Sequence, residues 1–521
     1  MRNIIIFFLL TLTVFGCMVG PNYKRPMVET PPLWRFEEKE AREVANTPWW
    51  EQFNDPVLNE LIQAGLNENK DVRIAAARVE EFVGRYRTTR ASLFPQVGAG
   101  ASAGRIRVTE KGPTPFPSNG ENPANDFQIF VNANWEIDLW GKLRRATEAA
   151  RADFVGTEEG RRAIVLTLVA SVASAYVNLR DLDMQLEIAK RTVKSREESY
   201  NLFQIRFRGG VISDLELSQV KSEYEQALSI IPFIEKTIAQ QENGLTVLLG
   251  RNPGPVPRGK MIDEFVLPAV PAGLPSDLLV NRPDIRQAEQ DLVAANARIG
   301  VARSQYFPSI SLTSSFGYAS TDLSKLFSGP AKVWSLAAPL TAPIFTAGAI
   351  SGQVKSAKAV QQQALLRYQQ VIQTAFREVE DALIDQKRTR EQLEIQAKQV
   401  ESLRDYAHFA RLRFDNGYTS YIEVLDAERS LFNAELSHAQ TKGVLFQALV
   451  NLYKAMGSGW VVEATVFHSK VRNWGARSQS NIPKPSATDA PKATVAGSPI
   501  TSATVPDRSA PNGNMPKKLR A

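Results

Sequence analysis

One cysteine and three histidines in 521 residues leave little material for redox or soft-metal chemistry. Cys17 stands alone, so no internal disulfide can form. His408, His438 and His468 have no ligand-like spacing around them, and no metal site is expected. Neither a Gly-x-Ser-x-Gly nucleophile motif nor a phosphate loop occurs, and Gly98 to Gly104 misses the dinucleotide fingerprint by one residue. No catalytic residue and no cofactor are therefore expected, and the glycines read better as close-packed strand. A nucleic-acid partner is also excluded. The net charge of +7 resides in the tail, where nine Lys or Arg from Lys470 onward face two Asp and leave the rest formally neutral.

The N-terminus carries an export signal. Residues 1–16 hold Arg2 and an apolar run from Ile4 to Phe15 that is too short to span a bilayer. Val14-Phe15-Gly16-Cys17 is similar to a bacterial lipobox, which implies diacylglycerol and palmitate on Cys17. Met18, rather than Asp, follows it and points to the outer membrane. Residues 17–56 are rich in Pro and Trp, lack a period and read as an extended strap. Helix then begins near Asp55-Pro56 and is expected to run unbroken to Leu93.

The dominant feature is an internal duplication. Arg206–Ala227 (RFRGGVISDLELSQVKSEYEQA) aligns without a gap to Arg413–Ala434 (RFDNGYTSYIEVLDAERSLFNA) at an offset of 207. Each copy has a glycine where a helix should stop, then Ser-x-x-Glu, the capping box that satisfies free first-turn N–H groups. Both stretches therefore read as helical hairpin tips, at 208–214 and 415–421, with caps at Ser213, Glu216 and Ser420. Upstream, Val165, Leu168, Val172, Ala175, Leu179, Leu182, Leu186, Ala189, Val193, Arg196, Tyr200, Phe203 and Phe207 step by alternating 3 and 4, and the second copy keeps that register from Ile372 to Phe414. A sustained period of 3.5 is a coiled-coil seam. A helix from Gly141 to Phe207 would be on the order of 100 Å long at 1.5 Å per residue.

Between the helices the period changes to two. Phe127, Ile129, Val131, Ala133, Trp135 and Ile137 alternate with mostly polar residues, and Val97–Val108 supplies a weaker partner strand. The second copy repeats the hairpin after Phe307-Pro308. Upstream of the hairpins the offset is 213, so the first hairpin is expected to be six residues longer. The domain reading is a first repeat over 57–250 with its β-hairpin at 95–140, a Pro/Gly-rich linker at 251–283, and a second repeat over 284–465 with its hairpin at 308–345. Pro232 is expected to kink the last helix of the first repeat. The tail, 466–521, has no apolar period and reads as disordered.

Four strands per chain cannot close a barrel, and an open sheet edge cannot face lipid. Several chains must share one. The duplication, Val19-Gly-Pro-Asn-Tyr23, Trp49-Trp50, Trp135-Glu-Ile-Asp-Leu-Trp-Gly141, Asn281-Arg-Pro-Asp284, Pro343-Ile-Phe345 and Tyr421-Ile-Glu-Val-Leu-Asp426 resemble the TolC family, most closely the OprM/NodT-type outer-membrane lipoproteins of RND efflux. The resemblance covers residues 17 to about 465. It implies an α+β membrane protein of duplicated TolC-like fold: a homotrimer with a 12-stranded outer-membrane β-barrel, a periplasmic α-helical barrel and an equatorial belt. Such ducts lie in outer-membrane lipid and dock onto a periplasmic adaptor and an inner-membrane RND transporter. In that family the positions matching Ile422, Glu423, Asp426 and Arg429 line or latch the closed periplasmic gate, and the position matching Asp214 joins inter-helix links. Threefold symmetry would set three Asp426 carboxylates in a cation-selective ring. Rival readings are a type I secretion or metal-efflux duct, and a periplasmic coiled-coil scaffold.

Overall fold

The computed structural model describes residues 18–457 apart from 29, 32–33, 36–47, 110, 112–120 and 268–274. The expected signal segment, Cys17 and the tail from 466 lie outside the described residues. After a 3-10 turn at Trp49–Phe53, the first repeat runs α1 (Pro56–Glu68), α2 (Lys70–Ala91), β1 (Gln96–Ile106), β2 (Ala124–Ile137), α3 (Lys142–Arg208) and α4 (Asp214–Leu248). The second runs α5 (Leu278–Asn281), α6 (Pro283–Ser304), β3 (Ser309–Ser320), β4 (Lys332–Ala337), β5 (Leu340–Thr341), α7 (Ala349–Asp415) and α8 (Tyr421–Met456).

The single helix expected over 56–93 is two helices. Asn69 adopts an extended ψ of 134°, and its side chain accepts from the Val72 amide at 3.0 Å and donates to the Leu248 carbonyl at 2.8 Å. An asparagine that caps the following helix and ties it to α4 competes successfully with helix continuation. Pro232, in contrast, lies inside α4 without ending it.

α3 and α7 have 67 residues each, about 100 Å at 1.5 Å per residue. Their seam residues are buried or half-buried from Val165 to Phe203 and from Ile372 to Phe414, where α3 packs against α4 and α8 and α7 packs against α8. The main core forms where Trp49, Trp50 and Phe53 wedge between α3 and α8, with Trp49 stacked on Tyr453 at 5.1 Å. The linker crosses this region on polar ties rather than regular structure. Tyr176 Oη donates to Asp55 at 2.8 Å, Arg180 donates to the Lys260 carbonyl at 2.9 Å, and a Cβ on Gly259 would fall 2.2 Å from the Asp55 carboxylate. Only glycine lets the linker approach so closely.

The strands form one antiparallel sheet in the order β1-β2-β3-β4, with β5 continuing β4 beyond Pro339 against β3. Its register carries the duplication. Gly100↔Phe130 and Arg105↔Asn125 in the first hairpin become Thr313↔Ala337 and Tyr318↔Lys332 in the second, shifts of 213 and 207. The six extra residues lie in the loop, since 17 residues join β1 to β2 and 11 join β3 to β4. Most apolar strand residues lie on one face, with Phe130, Val333 and Ile106 on the other. Val97, Val131, Phe316, Trp334, Leu336 and Leu340 share the first face and are 48–73% exposed. The other face carries Gln128, Asn132, Asn134, Thr313 and Ser315, so no core covers either side.

Below the sheet, the strap residues nearest Cys17 dock on the strand-to-helix junction. The Val19 amide donates to the Trp140 carbonyl at 3.0 Å, and buried Arg145 donates to Asn22 at 2.6 Å and to the Gly20 carbonyl at 3.3 Å.

Candidate functional site: the two hairpin tips

Both tips turn on a left-handed glycine, Gly210 at φ 72° and Gly417 at φ 76°. From there they differ. At the first, Ser213 and Glu216 complete the expected box: the Ser213 side chain accepts from the Glu216 amide, and the Glu216 carboxylate accepts from the Ser213 amide at 2.8 Å. Those bonds hold the Glu216 carboxyl below its ordinary range.

At the second tip the expected box is absent. Ser420 occupies the N-cap position without a side-chain hydrogen bond. Glu423 is drawn to the Thr419 hydroxyl and to Arg413, 3.4 Å away on the entering helix α7. The reason is local, because Thr419 has Ile212 as its first-copy counterpart, which offers no hydroxyl. Arg206, the counterpart of Arg413, lies instead over the rings of Phe203 and Phe414 at 5.7 and 5.5 Å.

An aromatic knot joins the two hairpins. Phe203 of α3 lies 4.2 Å from Tyr421 and 6.2 Å from Phe414 of the second tip, beside Val220, Val424 and Ala427. A chain of charges runs along it. Arg196, 5% exposed at its side chain, donates to the Glu223 carbonyl at 2.6 Å and pairs with its carboxylate at 3.0 Å. Arg429 reaches the same carboxylate at 3.9 Å and binds Asp426 at 2.7 Å. Burial pushes the Glu428 carboxyl up against the pull of Arg411 and Arg196, and lowers Arg196 against the pull of Glu223. Burial also raises Tyr421. The arrangement can hold two helical hairpins in one fixed relation by desolvated charge and ring contacts, and it offers no nucleophile aligned with a base.

The profile described as "Outer membrane efflux protein" matches residues 61–251 and 274–458. The chain belongs to the outer membrane efflux protein family. It is 37% identical over 463 residues to the probable efflux pump outer membrane protein TtgC of Pseudomonas putida KT2440, covering 87% of this chain and 95% of that one. It is 35% identical to the cation efflux system protein CusC of Escherichia coli O6:H1, covering 87% and 98%. Among solved structures, the Campylobacter jejuni CmeC outer membrane channel superposes with a TM-score of 0.81 at 28% identity, covering 85% of this chain and 95% of that one. The open state of the Neisseria gonorrhoeae MtrE outer membrane channel gives 0.77 at 32%, covering 85% and 99%. Membership of an outer-membrane efflux family sets aside the periplasmic scaffold.

Within this family member, the residues expected at the gate fall as follows. Asp426 and Arg429 pair with each other along α8 and reach the first hairpin through Glu223. Ile422 is 57% exposed at the tip. Glu423 serves the Arg413–Thr419 tie. Asp214, exposed in the first turn of α4, makes no ion pair or hydrogen bond among the described residues, so its expected inter-helix link does not form within one chain. Sequence reasoning passed over Glu223, Glu428, Thr419 and Arg413. A signal was available for the first of them: Arg196 occupies a seam position whose second-copy counterpart is Leu403, and an arginine in an apolar seam requires a buried acid.

Proposed function

We propose that three copies of this chain close one 12-stranded barrel in the outer membrane and continue it as a hollow helical cylinder through the periplasm. In this reading the chain is the passive exit duct of a tripartite RND-type efflux pump, engaging a periplasmic adaptor and an inner-membrane transporter and catalysing no reaction. The observation that carries it is the sheet. Four strands with an exposed apolar face, an uncovered polar face and two unpaired edges are unstable in either water or lipid as a lone unit, and edge closure removes the conflict. Two chains would give eight strands and a filled interior, whereas three give room for an aqueous lumen. Val14-Phe15-Gly16-Cys17 supports acylation of Cys17, and Val19, two residues further on, docks on the Trp140 carbonyl at the strand-to-helix junction.

The cargo is small toxic organic compounds. Relatives at 35–37% identity are named for antibiotic, toluene and solvent pumps, which supports that class. CusC, named for cation efflux, favours a metal-efflux duct as the second reading. The test is expression beside its own pump genes in a host lacking its outer-membrane duct, with intracellular accumulation of a fluorescent drug and of a transition-metal salt followed in parallel. Restored drug efflux supports the main reading and restored metal efflux the second. Restoration of neither, with the protein inserted, refutes the duct.

A further inference from the structure

The apolar face of the sheet changes character at the end farthest from the helices. Resting on the proposed barrel, which turns this face to lipid, we infer that Arg105, Arg107 and Lys332 form a binding site for the phosphorylated sugar headgroup of an outer-leaflet glycolipid, whose acyl chains lie along the wall below.

The register places these cations. Arg105 on β1 and Lys332 on β4 share the face of Val97, Val131, Phe316 and Trp334, and Arg107 follows two residues beyond Arg105. Arg105 stands eight residues along its strand from Val97, and Lys332 stands eight residues from Leu340. At about 3.3 Å per residue and a strand tilt of about 40°, each cation is about 20 Å farther out along the membrane normal than that apolar residue. The apolar band of an outer-membrane barrel is about 25 Å tall, so both cations reach its outer boundary. The helical end of the wall is edged differently, by Phe94, Trp135, Ile344 and Phe345, which are 37–100% exposed and uncharged.

The charge at this boundary is one-sided. Arg105 and Arg107 are exposed and make no ion pair or hydrogen bond among the described residues. Lys332 is exposed too, with its ammonium 5.2 Å from the centre of the Phe316 ring, a contact that holds it to the wall without neutralising it. No Asp or Glu shares the face, because the sheet's two acids, Asp126 and Glu136, lie on the opposite one. Lys325 in the loop differs, since Asp322 binds it at 2.8 Å. A cation at the edge of hydrocarbon loses solvation unless an anion meets it there, and on an outward wall the anion within reach is a lipid headgroup. In a closed barrel the first and last strands are neighbours, so the cations of both meet in one place. Three of them match a headgroup with two phosphates better than a phosphodiester with a single charge. Asn125 opposite Arg105 and Tyr318 opposite Lys332 add an amide and a hydroxyl suited to sugar hydroxyls. Below Arg105, Ala103, Ala101 and Ala99 lie opposite the taller Phe127, Ile129 and Val131, which leaves room on the wall for an acyl chain.

The experiment is native mass spectrometry of full-length protein extracted from outer membranes in mild detergent. Three lipids are titrated in: lipid A with both phosphates, the same lipid A with its phosphates removed enzymatically, and phosphatidylglycerol. Wild-type protein should hold bisphosphorylated lipid A at least tenfold more tightly than either of the others. A hydrogen bond to a charged group is worth about tenfold or more in affinity. Arg105→Gln with Arg107→Gln and Lys332→Gln should therefore weaken bisphosphorylated lipid A about a hundredfold and leave the dephosphorylated form unchanged, while Lys325→Gln changes neither. Equal retention of the two lipid A forms by wild-type protein overturns phosphate recognition, and tighter phosphatidylglycerol overturns the choice of headgroup. A triple variant that inserts and binds lipid A as wild type does overturns the site. These three results leave the barrel standing, whereas wild-type protein recovered outside the outer membrane overturns the barrel and the site together.

Discussion

Replacing Arg196 by leucine tests whether the tip is held by a desolvated ion pair. The guanidinium is 5% exposed, its partner carboxylate on Glu223 is 16% exposed, and the two lie 3.0 Å apart. Removing one member of such a pair costs about 3–5 kcal/mol, because the other charge remains buried without compensation. Leucine at this seam position returns part of that through apolar burial, about 1.5–3 kcal/mol at most. Arg429, 3.9 Å from the same carboxylate, recovers little at that distance. The expected net loss is about 2–3 kcal/mol of local stability per chain, equivalent to a fall of roughly 30- to 150-fold in amide protection. Hydrogen exchange on peptides covering Val220–Ala227 and Val424–Phe432 reads this directly. Adding Glu223→Gln to Arg196→Leu removes the stranded charge and should restore most of the protection. Unchanged protection in the single variant, or a double variant worse than the single, would show that Glu223 is solvated and that the knot of Phe203, Phe414 and Tyr421 alone holds the hairpins.

Three further outcomes are expected. Asp181 is buried on α3 against Gly443, has one oxygen without a hydrogen-bond partner, and has its carboxyl raised from 3.8 to about 6 by burial. A raised folded-state value means stability is fully present below the unfolded value and is lost as pH climbs through the folded one. At pH 7.5 the buried charge costs about 3 kcal/mol, so Asp181→Asn should raise the denaturation midpoint there and lose its advantage below pH 4; an equal gain at both pH values would refute the burial argument. Asp426→Asn should weaken cation selectivity and divalent block in planar bilayers while Glu216→Gln changes neither, and the reverse pattern would assign the ring to the other copy. Cys17→Ser, exported through a non-lipoprotein signal, should still insert and assemble, because a closed barrel spans the bilayer without help from an acyl anchor; recovery as soluble periplasmic protein would mean that the strands depend on the anchor.

The long elements were legible because one period recurs over many residues. The seam from Val165 to Phe203 and the alternation from Phe127 to Ile137 each repeat a local rule often enough to outweigh exceptions, and the duplication lets each copy check the other. The break at Asn69 was not legible. It depends on the Leu248 carbonyl, which is 179 residues away in the chain, and on a cap motif that also occurs inside helices. The tip caps show a finer limit. Ser213-x-x-Glu216 and Ser420-x-x-Glu423 match equally well as a motif, but a glutamate beside a threonine hydroxyl and an arginine has better partners than a backbone amide. Motif reading treats a side chain as serving one purpose, whereas the carboxylate goes to whichever donors give the largest charge-assisted gain.

That difference between the tips bears on how a duct of this kind can open. In the first tip the Ser213–Glu216 bonds lie within α4 and its cap, so they travel with that helix and register no change in its angle to α3. In the second, Glu423 ties the first turn of α8 back to Arg413 on α7, and Arg429 on the same helix reaches Glu223 on α4. Opening α8 away from α7 therefore stretches the Glu423–Arg413 contact and shifts Arg429 against Glu223, whereas the Ser213–Glu216 cap resists no such motion and the α3–α4 tie is left to Arg196 and Glu223. The restraint on the relative position of the hairpins is concentrated in α8, the helix that also carries Ile422 and Asp426. Thr419→Val with Arg413→Gln should consequently loosen the second tip and raise single-channel conductance, whereas Ser213→Ala should cost about 1 kcal/mol of helix stability and leave conductance unchanged. Equal effects of the two changes on conductance would show that the cap and the tie do the same work.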